Sequence, residues 1–347
     1  MKNNYLVIMA GGVGSRFWPM STQKKPKQFL DILGTGRTLL QLTADRFSEL
    51  VPKKNIWIVT SESYKEIVEQ QLPDIDKEQI LLEPCMRNTA PCIAYASWKI
   101  KQKYSDANIV VSPADHIVLN QVEFTKVIRN CFNYIDENED IITLGMQPSR
   151  PEIGYGYIQA NIDDPSTIKA VSAFKEKPNL ETAKEYLEDG SYYWNGGIFF
   201  WSVKTVESAF RQYLPSLARQ FDSIENSFYT DNEQAVIKEQ FPKCENISLD
   251  YGIMEKAKNI KVQACNFGWS DLGTWSSLHE QLEKDPMKNA IVGKNIKMID
   301  SHDCVVHVPI GRRYIVQGLH DYIIAENGNT VLICKKSDEQ RIKEFSK

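Results

Sequence analysis

The apolar run Tyr5-Leu-Val-Ile-Met-Ala10 turns directly into Gly11-Gly12-Val13-Gly14-Ser15-Arg16-Phe17, and Pro26-Lys27-Gln28 follows a short distance on. A strand that enters a glycine-rich turn aims consecutive backbone N–H groups at one point, and glycine lets a phosphate approach closely. Arg16 adds a fork of N–H donors and Lys27 a compact positive charge. Together they suit a triphosphate and charge moving onto a departing pyrophosphate. Two familiar phosphate templates fail. No lysine follows a glycine in the G-x-x-x-x-G-K-[ST] register, and a G-x-G-x-x-G count from Gly12 meets Phe17 at its third glycine. The pattern is G-x-G-x-R, for which the plain alternative is a turn with exposed cations.

Other segments carry chemistry in the same register. Asp115 follows the apolar run Asn108–Ser112 and Pro113-Ala114, and Asp271 lies in Phe267-Gly-Trp-Ser-Asp-Leu-Gly-Thr274. Ligands of open α/β sheets sit beyond the carboxyl ends of strands, and a hard cation such as Mg²⁺ takes a few carboxylates with phosphate oxygens and water. Either aspartate alone could equally be a turn or cap residue. Glu83-Pro84-x-x-Arg87-Asn88-Thr89-Ala90-Pro91 brackets a helix start, where a proline costs no hydrogen bond. Trp194-Asn195-Gly196-Gly197 places glycines inside a strand pattern, which signals a bulge or a close approach. The histidines at 116, 279, 302, 307 and 320 form no H-E-x-x-H motif, and no G-x-S-x-G occurs. His116 reads as a structural neighbour of Asp115.

These blocks, with Gly154-Tyr155-Gly156-Tyr157-Ile158 and Phe174-x-Glu176-Lys177-Pro178, resemble the signature of the sugar-1-phosphate nucleotidyltransferases. Met9-Ala-Gly-Gly-Val-Gly-Ser-Arg-Phe-Trp-Pro-Met-Ser21 with Lys24-Lys-Pro-Lys-Gln-Phe29 is similar to the mannose-1-phosphate guanylyltransferase branch in particular. The resemblance runs from residue 8 to 275. It implies transfer of GMP from GTP to α-D-mannose 1-phosphate with release of pyrophosphate. Asp115 and Asp271 would hold Mg²⁺, and Arg16 and Lys27 would act with them in catalysis. Gly11, Gly12, Gly14, Ser15, Arg16, Lys27, Pro113 and Asp115 would bind the nucleotide, with Glu83, Arg87, Asn88, Thr89 and Ala90 on the guanine side. Gly156, Tyr157, Glu176, Lys177, Asn195 and Gly196 would bind the sugar phosphate. No general base is needed, because the sugar phosphate is already an anion. Alternatives are another pair of base and hexose 1-phosphate, or a non-catalytic nucleotide-sugar sensor.

The elements that must position these residues alternate apolar strand runs with helical patterns, predicting an α/β domain with a mostly parallel sheet over residues 1–285; the resemblance implies that this sheet is mixed and Rossmann-like (GT-A-like). Strands are expected at Tyr5–Met9, Asn55–Thr60, Gln79–Leu82, Asn108–Ser112 and Ile141–Leu144. They are expected next at Gly154–Ala160, Lys169–Glu176, Tyr193–Trp201 and Ile260–Phe267. Helices are expected at Leu39–Leu50, Thr89–Lys103, Leu180–Leu187, Val203–Tyr213, Glu233–Gln240, Leu249–Lys256 and Thr274–Glu283. A capping box Ser63-x-x-Glu66 would start another. Residues 286–347 carry short β-branched runs at Ile296–Ile299, Val305–Val308, Tyr314–Val316, Tyr322–Ala325 and Thr330–Ile333, then a helix from Ser337. The resemblance implies a truncated left-handed β-helix there and a homodimer. With Lys347 as the last residue, the isomerase domain of longer bifunctional members is not expected.

Forty-one basic and 45 acidic residues give a net charge of −4 over 347 residues. A broad nucleic-acid footprint needs clustered positive excess, so none is expected. No run approaches the ~20 apolar residues of a membrane span, and the first strand leads into glycines rather than a cleavage site. Seven scattered cysteines without C-x-x-C predict free thiols and a reducing cytoplasm.

Overall fold

The computed structural model describes residues 3–12 and 14–345. The chain divides into two compact units that are interleaved in sequence: Met1–Gly11, Ala44–Pro113 and Val118–Trp269 form one, and Gly12–Thr43, Ala114–Ile117 and Ser270–Lys347 the other. Compactness therefore groups the glycine turn with the C-terminal residues, whereas the sequence reading cuts once after residue 285.

The first unit is built on β1 (Asn4–Met9), β2 (Ile56–Ser61), β3 (Ile80–Glu83) and β4 (Asn108–Pro113). β1 is buried at Tyr5, Leu6, Val7 and Ile8 alike, the pattern of a strand covered on both faces. After the two-residue β5 (Ile117–Val118) come β6 (Ile141–Met146), β7 (Tyr157–Ala160), β8 (Ile168–Lys175), β9 (Tyr192–Ser202) and β10 (Ile260–Cys265). Without β5, they form one sheet in the order β3-β2-β1-β4-β9-β6-β10-β8-β7. β1, β2, β3 and β4 run parallel, as do β6 and β10, while β9 is antiparallel to both β4 and β6. Parallel pairing carries Met9 beside Pro113 and Ser61 beside Glu83, so these chain segments end at one edge of the sheet. Phe199, Phe200 and Trp201 are buried in the core of this unit, not set out as a stacking platform.

Helix Thr89–Lys103 keeps its expected bounds and buries eleven consecutive residues, Ala90 to Ile100. Three expectations are corrected and one helix is added. The turn Glu62–Tyr64 is capped by Ser61, whose hydroxyl accepts from the Ser63 amide, so the Ser63/Glu66 box does not form; helix Lys65–Gln71 continues from that turn. Leu249–Lys256 holds a single π turn at Asp250–Met254 in place of an α-helix. Helix Pro215–Ile224 is an addition, although Pro215 at its first position and buried Leu217, Ala218, Phe221 and Ile224 mark it. The C-terminal helix is shortened to Ile342–Phe345, preceded by a 3₁₀ segment over Lys336–Arg341.

In the second unit, helix Trp275–Gln281 follows the short strand β11 (Trp269–Ser270), at which the chain enters it. Then come β12 (Ala290–Val292, unexpected and only three residues), β13 (Ile296–Ile299), β14 (Val305–His307), β15 (Tyr314–Gln317), β16 (Tyr322–Asn327) and β17 (Thr330–Lys335). β12, β14 and β16 pair in parallel, as do β13 and β15, and β17 returns antiparallel to β16. Strand side chains alternate between faces. Val305, Ile323 and Ala325 join a cluster with Phe17, Leu30, Ile32, Leu39 and Trp275, while Cys304, Val306 and Ile324 join a second cluster with Val308 and Val316. The β-strands of the C-terminal region thus share a core with the chain that follows the glycine turn.

Candidate active site

Arg16, Lys27, Asp115 and Asp271 line one cavity of about 270 Å³ in the second unit, together with Gly14 and His116. Each is placed by local structure. Gly14 sits at φ +60, and a Cβ there would stand 2.6 Å from Lys27 Cβ, so only glycine lets the turn close on the lysine. Ser15 opens the 3₁₀ turn Ser15–Phe17, and Phe17 anchors it from the buried cluster. The exposed Gly12 accepts from Gln28 Nε2 at 2.7 Å, fastening the loop to the next turn, Lys27–Phe29.

Lys27 is buried, and its ammonium meets three acceptors: Asp115 Oδ2 at 2.8 Å, the Asp271 carbonyl at 2.8 Å and the Leu272 carbonyl at 3.0 Å. Burial alone would raise the Asp115 pKa. The charge of Lys27, the neighbouring His116 and hydrogen bonds outweigh it, and the net shift is downward. Asp115 is therefore an anion at neutral pH. His116 Nε2 lies 3.9 Å from Asp115 Oδ1, consistent with a supporting neighbour. Asp271 Oδ1 accepts the Gly273 amide at 2.9 Å, which orients its carboxylate at the start of the turn into helix Trp275–Gln281. Among the described residues no three His, Cys, Asp or Glu side chains gather as a metal-binding group. Two carboxylates lining one cavity nonetheless fit a hard divalent cation that takes its remaining ligands from substrate phosphates and water.

The first unit carries the residues expected on the base and sugar sides. Gly11 follows β1, and Glu83 Oε2 lies 3.4 Å from where a Gly11 Cβ would be. Burial pushes the Glu83 carboxyl up to about 7, partly offset by a hydrogen bond with Cys92. Its Oε1 is buried with no hydrogen-bond partner. Pro113 ends β4 beside Met9. Asn88, at φ +68, caps helix Thr89–Lys103 by accepting the Thr89 amide at 2.9 Å. The residues around it grip another segment: Arg87 donates to the Pro242 carbonyl, Ala90 N–H to the Ile247 carbonyl at 3.2 Å, and Thr89 Oγ1 accepts the Leu249 amide at 2.8 Å. That segment leads to Asp250, a residue the sequence reading misses because it is absorbed into a helical pattern.

Asp250 faces the expected sugar side. The pairing of β6 with β9 shifts register between Thr143 and Gly145, opposite Asn195, so the glycine-containing run is a bulge. A Gly196 Cβ would collide with Met146 Cε. The bulge turns Asn195 so that its Nδ2 donates to Asp250 Oδ1 at 2.9 Å, while its Oδ1 accepts the Gly197 amide at 3.0 Å. Its backbone N–H reaches the Gly156 carbonyl at 2.8 Å. A Cβ at Gly156 would stand 2.6 Å from Glu176 Oε2, and Lys177, at φ +40, pairs with Glu176. Burial first, and the charge of Glu176 second, push Asp250 up to about 6. Asn195, Gly156, Glu176, Lys177 and Asp250 are thus gathered, with Gly196 in the bulge. Tyr157 differs: it is fully buried, and its hydroxyl donates to the Glu152 carbonyl at 2.9 Å and accepts the Glu152 amide at 3.0 Å. Lys343, on the wall of the cavity in the second unit, also escapes the sequence reading, for no sequence pattern links it to the glycine turn.

A family model described as nucleotidyl transferase matches residues 5–288. The mannose-1-phosphate guanylyltransferase of Salmonella montevideo is 36% identical over 349 residues, covering 98% of this chain and 72% of that protein. The mannose-1-phosphate guanylyltransferase of Klebsiella pneumoniae is 35% identical over 345 residues, covering 97% and 72%. A solved structure described as mannose-1-phosphate geranyltransferase from Thermus thermophilus superposes with a TM-score of 0.89 at 30% identity, over 99% of this chain and 98% of that one. The mixed sheet, the phosphate-type turn and these likenesses along nearly the whole length agree: the chain belongs to the nucleotidyl transferase family.

Proposed function

We propose that this nucleotidyltransferase makes GDP-mannose and pyrophosphate from GTP and α-D-mannose 1-phosphate. The observation that carries the reading is the single cavity in which Arg16, Lys27, Asp115 and Asp271 meet, although they come from three separate stretches of chain. The relatives' names supply the base and the sugar. A phosphate oxygen of mannose 1-phosphate attacks the α-phosphorus of GTP, a new phosphoanhydride forms, and the α–β bond breaks to release pyrophosphate. Backbone amides of Gly11, Gly12, Gly14 and Ser15, with Pro113 nearby in sequence to Asp115, hold the nucleotide. Glu83, Arg87, Asn88, Thr89 and Ala90 serve the guanine side. Glu176 and Asn195 bind sugar hydroxyls, Lys177 the sugar phosphate, and Gly156, Tyr157 and Gly196 shape that pocket. Arg16 offers donors to the charge developing on phosphate oxygens, and Lys27 fixes Asp115. Asp115 and Asp271 would hold Mg²⁺, which when bound neutralises repulsion between the two anionic substrates.

The test is direct: purified protein with GTP, mannose 1-phosphate and Mg²⁺ should release pyrophosphate and GDP-mannose. A panel of nucleotides crossed with hexose 1-phosphates should favour that pair. Preference for another pair would reassign the substrates, and nucleotide-sugar binding without turnover would make the protein a sensor. Residues 286–347 are proposed as a C-terminal β-module that follows the catalytic region of residues 1–285 and shares a buried cluster with Phe17. Parallel strands that repeat along it support a truncated left-handed β-helix. The exposed Val331 and Ile333 of the last strand support homodimer formation. Seven free cysteines support a reducing, cytoplasmic setting, and no described helix is long and apolar enough to cross a membrane.

Two expected results probe the sugar side. Gly156→Ala should displace Glu176 and raise the KM for mannose 1-phosphate about tenfold, with the KM for GTP unchanged; steady-state kinetics with each substrate varied will check it. Asp250 has a folded-state pKa above its unfolded value, so its ionisation costs stability that develops as pH rises from about 4 to about 6. Asp250→Asn should therefore be more stable at pH 8 by roughly 1–2 kcal/mol, a figure discounted for partial exposure, and melt at a higher temperature. It should lose that advantage near pH 4 and turn over more slowly at both. Thermal melts of the two proteins across this range would show it, and equal melting at pH 8 would refute it.

A further inference from the structure

An ammonium group carries three donors and no acceptor, and the three donors of Lys27 match its three acceptors, Asp115 Oδ2 and the carbonyls of Asp271 and Leu272. A phosphate oxygen could bond Lys27 only by displacing one of them. The cavity wall carries two further cations, Arg16 and Lys343. We propose that Lys343 is a phosphate-binding residue of this enzyme, contacting the two phosphate groups that leave as pyrophosphate. The proposal rests on the nucleotidyl-transfer reading above.

The position of Lys343 is built, not incidental. Its neighbour Ile342 is fully buried in the cluster that also holds Phe17 and Trp275, so the backbone one residue before Lys343 is fixed to the residue that follows Arg16. Slightly earlier, Glu339 Oε2 accepts the Ser276 amide at 2.9 Å, which ties the same segment to the helix entered through Asp271. Arg16 and Asp271 are thus joined through packed neighbours to one C-terminal turn. The charges point to the ligand. Lys27 and Asp115 neutralise each other as a pair, and Asp271 is the second carboxylate. With Arg16 and Lys343 the charged residues lining the cavity are three cations against two carboxylates, a net positive charge that suits an anionic ligand. A compact ammonium on a long stem suits oxygens that move as a phosphoanhydride breaks.

The experiment measures pyrophosphate binding to the full-length protein by calorimetry with Mg²⁺ present, alongside initial rates in both directions. Lys343→Met is expected to weaken pyrophosphate binding and raise its KM in the reverse reaction about five- to tenfold. The KM for mannose 1-phosphate should stay within twofold, and Lys343→Arg should recover most of the loss. Unchanged pyrophosphate affinity in Lys343→Met would overturn the proposal. So would equal losses for both ligands with a lowered melting temperature, or a wild-type protein that does not bind pyrophosphate. Wild-type protein that binds pyrophosphate through Lys343 but makes no GDP-mannose would leave this assignment standing and sink the choice of substrates.

Discussion

Lys27→Met is expected to leave a folded protein that is destabilised by roughly 2–3 kcal/mol and nearly inactive. Removing the ammonium strands the Asp115 carboxylate and two inward-facing carbonyls at once. Breaking a fully buried ion pair costs about 3–5 kcal/mol, and the lower figure allows for Asp115 keeping 33% of its side chain exposed. The same change frees Asp115 and the Asp271–Leu272 backbone to move, and a displacement of about 1 Å at such a site costs on the order of a hundredfold in rate. Lys27→Arg should not rescue either property, because a planar fork cannot converge on three acceptors as a tetrahedral ammonium does. Calorimetric melting and pyrophosphate release from the same preparations measure both effects. Wild-type values for either variant would show that the three-way contact is ornamental.

Asp271→Asn should separate chemistry from folding. The new carboxamide oxygen can still accept the Gly273 amide that Asp271 Oδ1 now takes at 2.9 Å, so the turn is kept. Stability should change by no more than about 0.5 kcal/mol. What is lost is one negative charge in the cavity that Asp115 also lines, and with it half of the carboxylate pair proposed for Mg²⁺. Turnover should fall on the order of 10²–10³-fold, and the rate should need more Mg²⁺ to saturate. A variant with normal turnover across a magnesium titration would remove Asp271 from the site.

Much of the arrangement is readable without coordinates. The glycine turn announces itself because a left-handed backbone such as that of Gly14 favours glycine, and the apolar run Ala90–Ala96 at the start of helix Thr89–Lys103 has one place to go. Asp115 follows from its strand, since residues just past a parallel strand share an edge of the sheet. Other features are hidden for physical reasons. Asp250 sits in a π turn, whose side-chain spacing imitates an ordinary helix over so short a stretch. The role of Lys27 as a clamp depends on two backbone carbonyls, which carry no sequence signal. The Ser63/Glu66 pattern loses to Ser61, which lies closer to the end of its strand. Lys343 is revealed only by the packing of Ile342, a long-range contact that local periodicity cannot express.

The order of segments in the second compact unit has a consequence for biosynthesis. It is assembled from Gly12–Thr43, Ala114–Ile117 and Ser270–Lys347. A ribosome that has delivered the glycine turn must translate more than two hundred further codons before the last segment of this unit, from Ser270 onward, begins to emerge. The nascent chain can begin to pair β1 with β2 and β4, yet the cluster beneath Phe17 stays open until Ile342 has cleared the exit tunnel. Catalytic competence should therefore appear only once the chain has emerged through Ile342, and ribosome-stalled chains ending before helix Ile342–Phe345 should be inert.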